Sequence, residues 1–88
     1  MNFVDLEKIH KALANRRRLA IIKFLLQNEE ANVFDIAEKI RLSFKSTSRH
    51  LQILKQAGLV ESEQMGLQQH YHLLNNANSV FKHTLSQL

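Results

Sequence analysis

The chain's hydrophobic period switches from 3.6 to 2 after Gly58, and that switch constrains the fold more than any other feature. Before it, apolar residues recur at three- and four-residue steps, beginning with Phe3, Leu6, Ile9 and Leu13; after it, they alternate. A stripe of period 3.6 buries one face of a helix, whereas alternation buries one face of a strand, and neither pattern serves the other element. Helices followed by a β-hairpin are therefore expected. The 88 residues hold no proline and only two glycines, Gly58 and Gly66, so few positions can interrupt the elements.

Asn15 is placed to cap a second helix running to about Asn28, with Leu19, Ile22, Leu25 and Leu26 on one side, Phe24 at its edge, and Arg16, Ala20, Lys23 and Gln27 opposite. Glu29, Glu30 and Ala31 make a polar break. Asn32 and Asp35 then start a third, short helix with Val33, Ile36, Ala37 and Ile40 as its apolar side. Arg41, Leu42 and Ser43 form a connector, and Ser43 caps a fourth helix from Phe44 to Ala57 that stops at Gly58. A short helix, a tight turn and a longer helix outline a helix-turn-helix.

Beyond Gly58, Leu59 to Gln64 and Leu67 to Leu74, joined at Met65-Gly66, read as a hairpin with Leu67, Tyr71 and Leu73 on one face and Gln68, His70 and His72 on the other. Asn75, Asn76 and Asn78 interrupt before a last amphipathic helix bearing Val80, Phe81, Leu85 and Leu88. The expected architecture is mostly α with a small β-hairpin: a winged helix-turn-helix of about five helices plus a two-stranded wing, in one domain spanning residues 1–88.

Twelve Lys and Arg against eight Asp and Glu give a net charge of +4, which favours polyanionic partners. Its distribution says more. From Lys8 to Gln27 there are six cations and no acid, and from Arg41 to Gly58 four cations and no acid, while Glu61 and Glu63 fall in a stretch between Lys55 and Lys82 that holds no Lys or Arg. On the fourth helix, Phe44, Thr47, Leu51 and Leu54 mark the inward side. Lys45, Arg49, Gln52 and Gln56, flanked by Ser46 and Ser48, face the other way without a carboxylate. That set suits a DNA major groove, where Arg pairs with guanine, Gln with adenine, and Lys or Ser with phosphate.

Without cysteine the chain can form no disulfide, thiolate metal site or cysteine nucleophile. No apolar run approaches the roughly 18 residues of a membrane span and no signal-peptide layout opens the chain, so no membrane partner and a cytoplasmic location are expected. Paired carboxylates, a Ser–His–Asp arrangement and a phosphate loop are all missing, which argues against an enzyme. His70 and His72 share a strand face at a spacing compatible with metal ligation; an exposed strand face is the alternative, and with no third ligand placed no metal or cofactor is assigned.

Leu13-Ala-Asn-Arg-Arg-Arg-Leu-Ala-Ile-Ile, Asp35-Ile-Ala-Glu, and the run from Leu42 through Ser48-Arg-His-Leu to Ala57-Gly-Leu-Val resemble the ArsR-type winged-helix transcriptional regulators over about Leu13 to Leu74. The resemblance implies a repressor that binds an inverted-repeat operator as a homodimer, with the helix at 44–57 in the major groove. It implies base and phosphate contacts from Lys45, Ser46, Ser48, Arg49 and His50, to which Gln52, Arg16 and Arg17 are added. For His50 a hydrogen bond inside the protein is the alternative. Arg18 matches a recurrent family arginine but projects toward the apolar side, where an ion pair with a carboxylate is expected. The terminal helices, about 1–14 and 76–88, would pair across the dimer through Phe3, Leu6, Ile9, Val80, Phe81, Leu85 and Leu88. The family's thiolate site cannot exist, since Val33-Phe-Asp stands where the cysteines would be. Its last-helix ligands are replaced by Asn76, Asn78 and His83, a poor transition-metal set. The acidic, neutral-tipped wing puts the family's wing contacts to DNA in doubt. A winged-helix module for protein association is the competing function.

Overall fold

Each of the five helices among the described residues starts at a side chain that accepts a hydrogen bond from a free backbone N–H of its first turn. A computed structural model describes residues 2–74 and 78–88. The helices are α1 (Phe3–Leu13), α2 (Arg16–Gln27), α3 (Val33–Ile40), α4 (Phe44–Gln56) and α5 (Ser79–Ser86). Asn2 Oδ1 caps α1 at Asp5 N (2.8 Å) and Asn15 Oδ1 caps α2 at Arg17 N and Arg18 N (2.9 and 3.1 Å). Asn32 caps α3 at Asp35 N (2.8 Å), Ser43 Oγ caps α4 at Ser46 N (3.1 Å), and Asn78 caps α5 at Phe81 N (2.9 Å).

Two helices end on the same device, a left-handed residue followed by a closing hydrogen bond to the carbonyl five residues back. After α4 it is Gly58, at φ 76°, with Leu59 N donating to Leu54 O at 3.0 Å. After α3 it is Arg41, at φ 56°, with Leu42 N donating to Ala37 O at 3.0 Å. A left-handed non-glycine residue costs about 1–2 kcal/mol, and here it produces the sharp turn that sets α4 against α3.

The sheet differs from the expected two-stranded wing. β2 (Val60–Met65) and β3 (Gln68–Leu73) form the hairpin, and β1 (Ala31–Asn32) adds a third antiparallel strand in the order β1-β3-β2. Ala31 lies opposite Tyr71 and Asn32 opposite His70, so the predicted polar break is a strand whose Ala31 is buried. The tight turn is Gly66-Leu67 rather than Met65-Gly66, because Met65 pairs with Gln68 and Gly66 supplies the positive φ of 65°. Leu67 accordingly stands at the tip, fully exposed, and not on the face of Tyr71.

The core joins Ile9, Ile21, Ile22, Leu25, Ile36, Leu51, Leu54, Leu59, Val60, Tyr71 and Phe81. On α2 the buried arc is rotated from the predicted one: Ile21 is fully buried with Ile22 and Leu25, and Leu26 is 47% exposed. Phe44, expected inside, is 49% exposed. Ile9 and Phe81, expected at a dimer interface, are buried in the chain's own core, where α1 and α5 pack on each other and on α2. The expected interruption at Asn75 and Asn76, and the start of the last helix at about 76, fall outside the described residues.

Candidate nucleic-acid interface

Thr47, Leu51 and Leu54, all fully buried, lock one side of α4 into the core, which fixes what the other side presents. Lys45, Arg49, Gln52 and Gln56 are exposed, and Ser46, Ser48 and His50 are half-buried along the flanks. Among the described residues, neither Lys45 nor Arg49 has a carboxylate within ion-pair distance. Lys55, the last cation of α4, is held differently: Nζ donates to Ser62 Oγ at 2.8 Å and lies 3.8 Å from Glu61 Oε1, so the base of the wing engages it. The unpaired charge of α4 is thus concentrated in its first half.

The start of α2 is brought against the middle of α4. Arg18 does not meet a carboxylate as expected. Its guanidinium spans the end of α1, Nε donating to Ala12 O at 2.6 Å and Nη2 to Lys11 O at 3.0 Å, while Nη1 lies 3.2 Å from His50 Nδ1. A cation against the terminal carbonyls of a helix is favourable because the helix dipole is negative there. An arginine can only donate, so His50 Nδ1 accepts and the neutral ring carries its proton on Nε2. Burial, then the positive charges of Arg18, Arg17 and Arg49, hold the His50 imidazole below its ordinary pKa. Of the two readings of His50, the internal hydrogen bond is the one present in the fold, and it leaves Nε2–H as the ring's remaining donor.

Arg17 Nη1 donates to Ile40 O at the end of α3 (3.3 Å), tying α2 to the first helix of the helix-turn-helix. Arg16 and Arg17 are exposed, and with Lys23 and Lys39 they rim an open groove of about 580 Å³ floored by Phe24 and Ile40. The fold therefore brings Arg17 and Arg18 of α2 near His50 and Arg49 of α4, with Lys45 one turn before Arg49 on the exposed side of α4 and Arg16 next to Arg17 on α2.

The wing contributes no cation. Its outer face sets Glu61 opposite His72 and Glu63 opposite His70, and His70 Nδ1 lies 3.4 Å from Glu30 Oε1. No group of three or more His, Cys, Asp or Glu placed to hold a metal occurs among the described residues. Of the last-helix positions, Asn78 is the cap of α5, His83 is exposed, and Asn76 lies outside the described residues. Residue patterning missed an aromatic pair beside α4: Phe34 and Phe44 lie 4.7 Å apart between ring centroids, and both are about half exposed. The available signal was the position of Phe44 directly after the Ser43 cap, where a side chain has only one turn of helix to pack against.

Comparison with known proteins places this geometry. The model of the bacterial regulatory protein arsR family matches residues 15–62. An HTH-type transcriptional regulator of Mycobacterium tuberculosis is 42% identical over 66 residues, covering 75% of this chain and 29% of the relative. The arsenical resistance operon repressor of Escherichia coli is 33% identical over 73 residues, covering 83% of this chain and 62% of the relative. The chain thus spans less than two thirds of either relative. Among solved structures, the homodimeric winged helix-turn-helix DNA-binding domain of a possible ArsR-family regulator from Mycobacterium bovis superposes with a TM-score of 0.80 at 36% identity, over 94% of this chain and 75% of that one. A winged helix-turn-helix whose family match runs from the cap of α2 into the wing, the chain belongs to the arsR family of bacterial regulatory proteins.

Proposed function

We propose that the protein is a cytoplasmic, sequence-specific DNA-binding transcriptional repressor that lays α4 in the major groove of an inverted-repeat operator as a homodimer. The observation that carries this reading is the outward face of α4, which joins Lys45, Arg49 and Gln52 without an acid and is held rigidly by three fully buried residues behind it. Arg49 is assigned to a guanine edge, Gln52 to an adenine edge, and Lys45, Ser46 and Ser48 to neighbouring bases and phosphates. His50, through Nε2–H, and Arg16 and Arg17, at the start of α2, are assigned to the phosphate backbone.

Dimerisation is supported by the homodimeric Mycobacterium bovis domain and by apolar surface on the terminal helices. Phe3 and Val4 are 90% and 67% exposed next to the half-buried Leu6, and Val80, Leu85 and Leu88 at the C-terminal end are half-buried too. With Ile9 and Phe81 inside the chain, the proposed interface is Phe3, Leu6, Val80, Leu85 and Leu88. Two copies would present their α4 helices about 34–36 Å apart, one DNA turn. Among the described residues no helix is long and apolar enough to cross a membrane, and repression follows the Escherichia coli relative.

Selection of bound duplexes from a random pool, followed by titration at several salt concentrations, tests the proposal. An inverted repeat should emerge, and Arg49→Ala should weaken binding to it by about 1–3 kcal/mol with folding intact. Equal affinity of wild type and variant for the best site would remove α4 from the groove.

A further inference from the structure

Resting on the DNA-binding reading of α4, we propose that the exposed Phe34–Phe44 pair is a specificity pocket for the 5-methyl group of a thymine. Phe34 and Phe44 are 58% and 49% exposed, with ring centroids 4.7 Å apart, so each shields one side of the other and leaves the remainder in water. The pair opens onto a concavity of about 250 Å³ that continues along α4 through Ser48 and Gln52 and is bounded by Leu67 at the wing tip. With the fully exposed Leu67 lining the same concavity, the two rings make a contiguous apolar patch, and patches of several large apolar side chains mark contact surfaces. None of the concavity's lining side chains is acidic, and Lys45 and Arg49 directly follow two of them, Phe44 and Ser48, in α4.

The chemistry of the partner follows from where the patch sits. Phe44 is the first residue of α4, and the N-terminal turn of such a helix is the part that meets base edges. Among the groups on base-pair edges in the major groove, donors, acceptors and flat ring C–H positions make up the rest, and the C5-methyl of thymine is the one that projects as an apolar knob. An aromatic pair placed there has no other projecting apolar group to meet on the base edges of unmodified DNA. Ser48 and Gln52, one and two turns further along the same side, supply the polar contacts expected beside it, with Gln52 suited to adenine. The chemistry recognised is a pyrimidine 5-methyl group, which methylated DNA also carries on 5-methylcytosine; thymine is the assigned partner.

Selected sites are resynthesised with uracil replacing thymine at one position at a time, which removes the methyl and nothing else. At one position in each half-site the wild type should bind about fourfold more weakly, the factor expected for one buried methyl group. Phe44→Gln should bind the thymine and uracil probes equally, whereas Phe44→Leu, still apolar, should keep part of the difference; circular dichroism establishes that both variants are folded. Uracil tolerated at every position, or a uracil penalty that survives in Phe44→Gln, would overturn the assignment while leaving DNA binding in place. A penalty absent for uracil but a gain on probes carrying 5-methylcytosine would overturn thymine as the ligand. Loss of self-association in Phe44→Gln, with no uracil effect, would assign the patch to a protein contact instead. Failure to bind any duplex would overturn the DNA-binding reading as well.

Discussion

Removing the Arg18 fork should destabilise the domain far more than its partly exposed position suggests. Its three contacts, 2.6 Å to Ala12 O, 3.0 Å to Lys11 O and 3.2 Å to His50 Nδ1, join α1, α2 and α4 at one point. In Arg18→Met the Lys11 carbonyl, on an exposed residue, recovers a hydrogen bond from water and loses little. The Ala12 carbonyl and His50 Nδ1 belong to a buried and a half-buried residue, and leaving such groups without a donor costs about 1–3 kcal/mol each. Solvent reaching the His50 edge places the total near the lower end, about 2–3 kcal/mol, a large share of the 5–15 kcal/mol typical of a domain. Urea denaturation followed by circular dichroism should show the midpoint falling by about 1–2 M. Arg18→Lys should recover under half of this, because one ammonium cannot span carbonyls on two residues and a ring nitrogen together. Removing one of the charges that depress His50 should also raise its titration midpoint, visible by NMR. An unfolding free energy for Arg18→Met within about 0.5 kcal/mol of wild type, or an unmoved His50 titration, would show that the fork is not a structural joint.

Two further outcomes follow from other groups on α4. His50 titrates lower in the folded chain than its ordinary value of about 6.5, so the unfolded chain takes up the proton first. Its contribution to stability is complete above pH 6.5 and is lost as pH falls below that value through the folded one; thermal melts of His50→Gln between pH 7.5 and 5.5 should have a shallower pH slope than wild type, and parallel slopes would exclude His50 as the source. Thr47 is fully buried and its Oγ1 has no hydrogen-bond partner among the described residues. Thr47→Val should therefore stabilise by about 1 kcal/mol, raising the melting temperature by about 4–8 °C, and a lowered melting temperature would mean that the hydroxyl is satisfied.

Local chemistry made much of the candidate site legible from residues alone. The caps at Asn15, Asn32 and Ser43, and the stop at Gly58, act within one helical turn, so their partners lie inside the same short segment. They set the lengths of α2, α3 and α4, and with them the outward display of Lys45, Arg49 and Gln52. What failed depended on who the neighbour is. A wheel drawn for α2 puts Leu19, Ile22, Leu25 and Leu26 on one side, and only the packing of α3, α4 and β3 against it selects Ile21 over Leu26. Phe44 fits an inward stripe by spacing, yet the capped first turn of α4 projects past the core and leaves its ring beside Phe34.

The sequence by itself determined the order and type of the elements, the helix-turn-helix and the acid-free face of α4, because periodicity, capping and charge are written within a few residues of where they act. Tertiary structure alone decided the rest. Ala31–Asn32 become a strand only because β3, some forty residues later, offers them its open edge. Arg18 finds helix-end carbonyls in place of a carboxylate, since a cation is satisfied by whichever acceptors the packing of α1 brings within reach. Ile9 and Phe81 turn inward because α1 and α5 close over α2 within a single chain, and burying an apolar side chain in its own core releases the same hydration free energy as burying it in a partner. Contacts between residues distant in sequence carry no local signature, and these were the ones that the linear pattern could not assign.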